Sequence, residues 1–285
     1  MRRSTEKTGQ TANRHPARLH VLLAREARIA LVIRRGPSKS VAVIGWDRRK
    51  DTFQVGQWLR GRIYERRCDL SPTGKWFIYF AMNGRWDSKT KGSWTAISRT
   101  PYLKAVSLLA KGDCWNGGGL FTGEDQYWLN GFGHVALREE TLLVQDPAYR
   151  PVENFGGECP GVYYLRLQRD GWNMVERKSH SEWNDTTTFE KPLSGGWVLR
   201  KLAHEQVGAP PGKGCYWDEH ELVHSESGAT VDGKDWEWAD LDGKRLVWAQ
   251  HGQLWAGYVR KGGLHDSRCL HNFNDMTFEA IAAPY

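Results

Sequence analysis

The 285-residue chain is poor in cysteine and contains no Cys-x-x-Cys pair. Its five cysteines are odd in number and widely spaced, which argues against a disulfide framework and a zinc ribbon. No run approaches about 18 apolar residues, so no membrane-spanning helix is predicted. Residues 1–17 are basic but lack an apolar segment, which excludes a secretory signal and predicts a disordered tail. These absences indicate a reducing, cytoplasmic setting.

Sequence signatures of two enzyme classes are also missing. No Gly-x-Ser-x-Gly elbow of a serine hydrolase occurs in the chain. The glycines of residues 115–121 (WNGGGLF) are not followed by the Lys-Ser/Thr pair of a phosphate-binding loop. The sequence therefore predicts no cofactor and favours a non-enzymatic protein.

Tryptophan and glycine are abundant, with 15 Trp and 31 Gly. Aromatic residues favour strands, and glycine adopts the backbone conformations that tight turns require. Sites with turn chemistry recur about every 24 residues, with alternate sites about 48 apart, which is the range of propeller blades. These sites are Glu26, Arg49, Gly74, Thr100, Gly123, Pro147, Gly171, Gly195, Glu219 and Gly243.

The spacing predicts an all-β fold. Residues 18–285 are predicted to form a single β-propeller of about five four-stranded blades, with six as the alternative. Short apolar runs between the turn sites, including residues 162–167 (VYYLRL), are predicted as strands. Residues 276–282 are predicted to close the ring by pairing beside the strand near residues 20–25, because a closed propeller leaves no open edge.

One stretch carries a family resemblance. Residues 69–80 (DLSPTGKWFIYF) resemble the WD40-like repeats of TolB-type β-propellers, in which a strand ends in a Ser-Pro-Asp-Gly turn. Ser71, Pro72 and Gly74 match that turn, and residues 240–249 are a weaker copy. The whole chain also resembles uncharacterised bacterial proteins of this type. The resemblance implies a propeller scaffold and no particular activity.

The chain contains one zinc-like motif, His-Glu-x-x-His, formed by His220, Glu221 and His224. On a helix, both imidazoles can reach one zinc ion at about 2.0–2.1 Å, with the glutamate as general base. In a strand the two histidines lie about 13 Å apart, at about 3.3 Å per residue. Flanking Pro- and Gly-rich residues leave too little room for a stable helix, so we predict a strand and no metal. A zinc-dependent hydrolase or peptidase using these three residues is the alternative function.

Basic charge is concentrated in the N-terminal quarter of the chain. The formal net charge is +7, and the densest basic stretch is residues 57–67 (QWLRGRIYERR). A continuous strand there would place alternate side chains on one face, and guanidinium groups suit carboxylates. The candidate binding residues are Trp58, Arg60, Arg62, Tyr64 and Arg66.

This stretch leads to the functional prediction. We predict a non-enzymatic propeller scaffold that binds a macromolecular partner, a protein with an acidic surface. Nucleic acid is a weaker alternative, because no nucleic-acid recognition motif accompanies the charge. A purely structural role, in which these arginines pair with acidic groups of the same chain, is the competing explanation.

Overall fold

The computed structural model describes residues 15–36 and 39–285. The described residues form twenty-two strands in five sheets and one α-helix, so the all-β prediction is confirmed. Most of the predicted tail, residues 1–17, lies outside the described residues. Residues 15–17 are described, and Ala17 is buried. No helix in the described part of the chain is long and apolar enough to cross a membrane.

The first and fifth sheets are four-stranded antiparallel meanders. Consecutive strands pair in chain order, as the turn spacing predicts. The first sheet contains β1 (Arg18–Leu23), β2 (Ile29–Arg35), β3 (Ser40–Asp47) and β4 (Thr52–Arg60). The fifth contains β19 (Trp238–Asp242), β20 (Arg245–Gln250), β21 (Gln253–Arg260) and β22 (Gly263–Asn272).

The second and third sheets are less regular. The second has the order β12-β9-β8-β7-β5, with β6 also paired to β7, and the third has the order β10-β11-β13. The pair β11–β13 is parallel. The second sheet contains β5 (Arg62–Ile63), β6 (Asp69–Leu70), β7 (Trp76–Met82), β8 (Ser93–Arg99), β9 (Ala105–Ala110) and β12 (Val135–Arg138). The third contains β10 (Gly119–Phe121), β11 (Gln126–Leu129) and β13 (Val144–Gln145).

The fourth sheet follows the helix α1 (Cys159–Arg169) and is an antiparallel meander of five strands. Its strands are β14 (Asn173–Ser181), β15 (Asn184–Pro192), β16 (Trp197–Gln206), β17 (Tyr216–His224) and β18 (Thr230–Gly233). Seven of the ten predicted turn sites lie at connections between antiparallel strands. Glu219 does not, because β17 runs straight through it, so that turn prediction is wrong.

Helix α1 corrects the strand predicted for residues 162–167. Pro160 lies in its first turn, where the missing N–H costs no hydrogen bond, and the helix ends before Gly171, which has a φ of 86°. Residues 159–167 are all buried. A segment buried on every side has no polar stripe, so its hydrophobic pattern does not distinguish a strand from a helix.

Four apolar clusters connect the five sheets. The first and second sheets share one cluster, the second and third share another, and a third cluster joins α1 to the third, fourth and fifth sheets. A fourth cluster packs Leu19 and Val21 of the first sheet against Val247 and Ala249 of the fifth. Each sheet therefore shares a cluster with its neighbours in the chain, and the last sheet packs against the first.

The C-terminal segment differs from its prediction. Residues 276–282 form no strand, and β1 pairs only with β2 among the described strands. Instead, the Asn274 side chain accepts a hydrogen bond from the Ala17 backbone N–H at 2.9 Å. The Phe273 carbonyl accepts another from Arg34 at 3.1 Å. The contact between the fifth and first sheets is therefore made by side chains and by the loop, without a shared strand.

Candidate functional site

The basic stretch at residues 57–67 is not one strand. Strand β4 ends at Arg60, β5 covers only Arg62–Ile63, and a 3-10 turn follows over Glu65–Arg67. Gly61 allows the break, because a Cβ atom there would lie 2.7 Å from the Met82 carbonyl oxygen. The single arginine face expected from a continuous strand is therefore not formed.

Two of the predicted binding residues lie apart from the others, against the C-terminal segment. The ring centroids of Trp58 and Phe278 are 5.9 Å apart, and the Arg60 guanidinium lies 4.6 Å from the Phe278 ring centroid. These contacts cover part of the first sheet. They bring Trp58 and Arg60 to a different place from the remaining three residues.

The other three, Arg62, Tyr64 and Arg66, line one cavity of about 470 Å³, which we call the basic cavity. Residues from five separate segments surround it, including the start of β1 and the loop before β17. Six basic side chains and one acidic side chain line this space. They are Arg18, Arg35, Lys39, Arg62, Arg66 and Lys213, with Glu65 as the acid.

Half of these basic groups are paired with carboxylates. Glu65 lies 3.0 Å from Arg35 and 3.4 Å from Arg66, and both arginines lower the pKa of its carboxyl below the usual range although burial acts to raise it. Arg18 lies 3.5 Å from Glu237. No described carboxylate lies within ion-pair distance of the other three basic groups, Lys39, Arg62 and Lys213. Among the described residues, the basic groups around the cavity therefore outnumber the carboxylates that pair with them.

Helix α1 adds to this charge. Its first residue, Cys159, lines the basic cavity, so the N-terminal end of the helix, with its partial positive charge, faces that space. Glu158 precedes the helix but makes no capping hydrogen bond. Its carboxylate instead accepts a hydrogen bond from the Tyr216 hydroxyl and lies 3.7 Å from Arg67.

A buried polar network lies beside the cavity and fixes the position of Arg66. Asp218, with 1 % of its side chain exposed, lies 3.3 Å from Arg66 and 3.8 Å from the equally buried Lys201. The Tyr163 hydroxyl donates a hydrogen bond to the same carboxylate at 2.6 Å. Burial acts to raise the pKa of Asp218, but Arg66 and Lys201 hold it well below its usual range. The carboxylate thus stays charged and anchors both cations.

The zinc-like motif lies in strand β17, so the strand prediction is confirmed. His220 is buried, and burial together with Lys201 lowers its pKa to about 3. Glu221, the next residue, pairs with Arg200 at 2.9 Å. His224, at the end of the strand, contacts the Gly195 carbonyl at 3.1 Å. No group of three or more His, Cys, Asp or Glu residues within 15–36 and 39–285 is arranged to hold a metal ion.

Sequence reasoning missed the basic residues that come to the cavity from distant segments. Lys39 follows β2, and Lys213 lies in the loop between β16 and β17, more than a hundred residues away. The Arg18 side chain donates a hydrogen bond to the Gly212 carbonyl at 3.4 Å, which connects β1 to that loop. The loop sequence APPGKG (209–214) indicates a turn but carries no signal for its partner.

Comparisons with known proteins do not assign the chain to a family. No protein-family model matches the chain, and no curated protein matches it. The resemblance of residues 69–80 to propeller repeats therefore stays a prediction.

Proposed function

We propose that the chain is a single β-propeller of the WD40-like type, with one blade for each of the five sheets. The shared apolar clusters support this arrangement, because neighbouring blades of a propeller pack on each other and the last packs on the first. In this arrangement, α1 occupies the hub. Propellers present loops on a rigid disc, and function resides in those loops.

We propose that this propeller acts by binding an acidic segment of a protein partner at the basic cavity. The observation that carries the proposal is the presence of Lys39, Arg62 and Lys213 around one concavity, with no described carboxylate within ion-pair distance of them. Arginine and lysine in such a setting attract carboxylates and raise association rates. Five free cysteines support the reducing, cytoplasmic setting proposed from the sequence.

The shape of the site favours a protein segment over nucleic acid. A volume of about 470 Å³ accommodates one or two acidic side chains or a chain terminus. A duplex needs an extended basic stripe that follows two phosphate backbones, whereas these cations surround a single concavity. Trp58 and Arg60 lie outside the cavity, so their predicted role in binding is separate from this proposal.

Charge reversal tests the proposed site. We expect fluorescence anisotropy to detect binding of a fluorescein-labelled octaglutamate peptide, with an affinity that falls as salt rises. The double variant Arg62→Glu with Lys213→Glu should weaken binding at least about ten-fold, equivalent to about 1.4 kcal/mol. Both side chains are exposed, so the fold should be preserved.

A matched double variant provides the control. Lys178→Glu with Lys261→Glu makes the same charge change at exposed positions that do not line the basic cavity. It should bind octaglutamate nearly as well as the parent at physiological salt. The proposal would be contradicted if both double variants lose the same amount of octaglutamate affinity. It would also be contradicted if a single-stranded DNA octamer binds the parent protein more tightly than octaglutamate does.

A further inference from the structure

A second, larger cavity lies at the opposite end of α1. The helix runs from Cys159 at the basic cavity to Arg169, which lines a space of about 830 Å³ together with Gly171. Eight basic and four acidic side chains line it, so we call it the mixed cavity. Its volume lies within the range of pockets that hold metabolite-sized molecules, about 300–1,000 Å³.

Three of the four acidic groups are already paired with basic groups. Arg169 binds both carboxylate oxygens of Asp69, at 2.5 and 2.8 Å, and also binds Asp170 at 2.9 Å. Lys191 lies 2.5 Å from Asp240, which also accepts the Trp172 indole N–H. These groups form the wall of the cavity and have little capacity left for a cationic ligand.

Several basic groups, by contrast, form no ion pair with a described carboxylate. No carboxylate of the described residues lies within ion-pair distance of Arg25, Arg49 or Arg166. Arg166 is 5 % exposed, and its guanidinium donates only to the backbone carbonyls of Glu65 and Cys68 and contacts His20 at 2.9 Å. Its buried charge thus has no carboxylate of the described residues at ion-pair distance, an arrangement that a nearby anion would stabilise.

Lys201 adds a buried ammonium group to the lining of the cavity. Its Nζ lies 2.8 Å from Nε2 of His220, whose Nδ1 lies 2.6 Å from the Trp236 carbonyl. Because Nδ1 donates to that carbonyl, Nε2 is the acceptor for Lys201. Burial lowers the pKa of Lys201 to about 8, although Asp218 and Asp240 act to raise it.

We propose that the mixed cavity binds a small anion with two or more negative charges, a phosphate monoester or a polycarboxylate. Arg25 and Arg49 are exposed and would meet the anion first, whereas Arg166 and Lys201 are buried in the wall. Guanidinium forks bind phosphate and carboxylate oxygens in pairs, and ammonium groups add point charges. This site is separate from the basic cavity and does not depend on a protein partner.

Calorimetry tests this proposal with defined probes. At constant ionic strength, we expect one equivalent of glucose 6-phosphate or citrate to bind the parent protein, and glucose to show no heat. Comparing the affinity of inorganic phosphate with that of glucose 6-phosphate shows whether the site prefers a free or an esterified phosphate. The exposed double variant Arg25→Gln with Arg49→Gln should weaken binding of the preferred anion at least ten-fold. Lys50→Gln, on the same turn as Arg49 but outside the cavity, should leave it unchanged.

A second variant pair separates the two cavities. Arg62→Gln with Lys213→Gln should leave binding of the small anion unchanged, because those residues line the basic cavity. The proposal would be overturned if none of the three anions binds the parent protein. It would also be overturned if anion binding survives in the double variant Arg25→Gln with Arg49→Gln. If anion binding is lost only in the double variant Arg62→Gln with Lys213→Gln, the anion binds in the basic cavity. That result would also overturn the proposal.

Discussion

Replacing Asp218 by Asn should lower the free energy of unfolding by about 3–5 kcal/mol, the usual cost of removing one partner from a buried ion pair. The carboxylate faces Arg66 at 3.3 Å and Lys201 at 3.8 Å, and both cations are largely buried. Asparagine can still accept the Tyr163 hydrogen bond, but it leaves Lys201 without this carboxylate and Arg66 with Glu65 alone. Urea unfolding at neutral pH measures the difference.

A matched control removes an exposed carboxylate. Asp232 pairs with Lys234 at 3.7 Å, and 66 % of its side chain is exposed. Asp232→Asn should therefore cost less than about 1 kcal/mol. Equal losses in the two variants would mean that the network around Asp218 contributes no more than a surface pair, which contradicts its role in fixing Arg66.

Glu237→Gln should stabilise the protein at pH 8 by about 2–3 kcal/mol and leave it nearly unchanged at pH 4.5. Burial raises the pKa of Glu237 to about 7, above its usual 4.5. Between these values the native state binds more protons than the unfolded state, so this residue lowers stability as pH rises through that window. Glutamine keeps an acceptor for the Leu19 N–H, which lies 2.8 Å from the Glu237 carboxylate.

Unfolding midpoints at the two pH values measure this effect. Glu226→Gln, at an exposed position, makes the same chemical change and should shift neither midpoint. A Glu237→Gln variant with the same pH dependence as the parent would show that this carboxyl ionises normally. In that case Glu237 would not make the parent protein more stable as the pH falls from 8 to 5.

The regular turns could be predicted from the sequence because glycine and polar residues carry local information. Gly74 has a φ of 79° and Gly243 a φ of 65°, conformations that favour glycine, and each lies between two paired strands. The position of α1 could not be predicted. Because the helix is buried on all sides, its apolar residues show no helical periodicity. The polar atoms of Tyr163 and Arg166 bind partners that are distant in the sequence.

The candidate site was only partly predictable for the same reason. Arg62, Tyr64 and Arg66 are neighbours in sequence, and the basic stretch identifies them. Their arrangement depends on Gly61, which breaks the strand where the chain passes close to the Met82 carbonyl. Lys213 reaches the cavity through a loop from another sheet, a long-range contact that no local pattern specifies.

Hydrogen exchange on the complex with octaglutamate tests the central claim most directly, because it locates the peptide on the chain. We expect protection of backbone amides in residues 39–41, 61–66 and 212–216 together, since these segments surround the basic cavity. Exchange in β14 and β15 should not change. An acidic partner at this cavity would be contradicted if protection is confined to residues 57–60 and 278. It would also be contradicted if none of the three cavity segments is protected at saturating peptide.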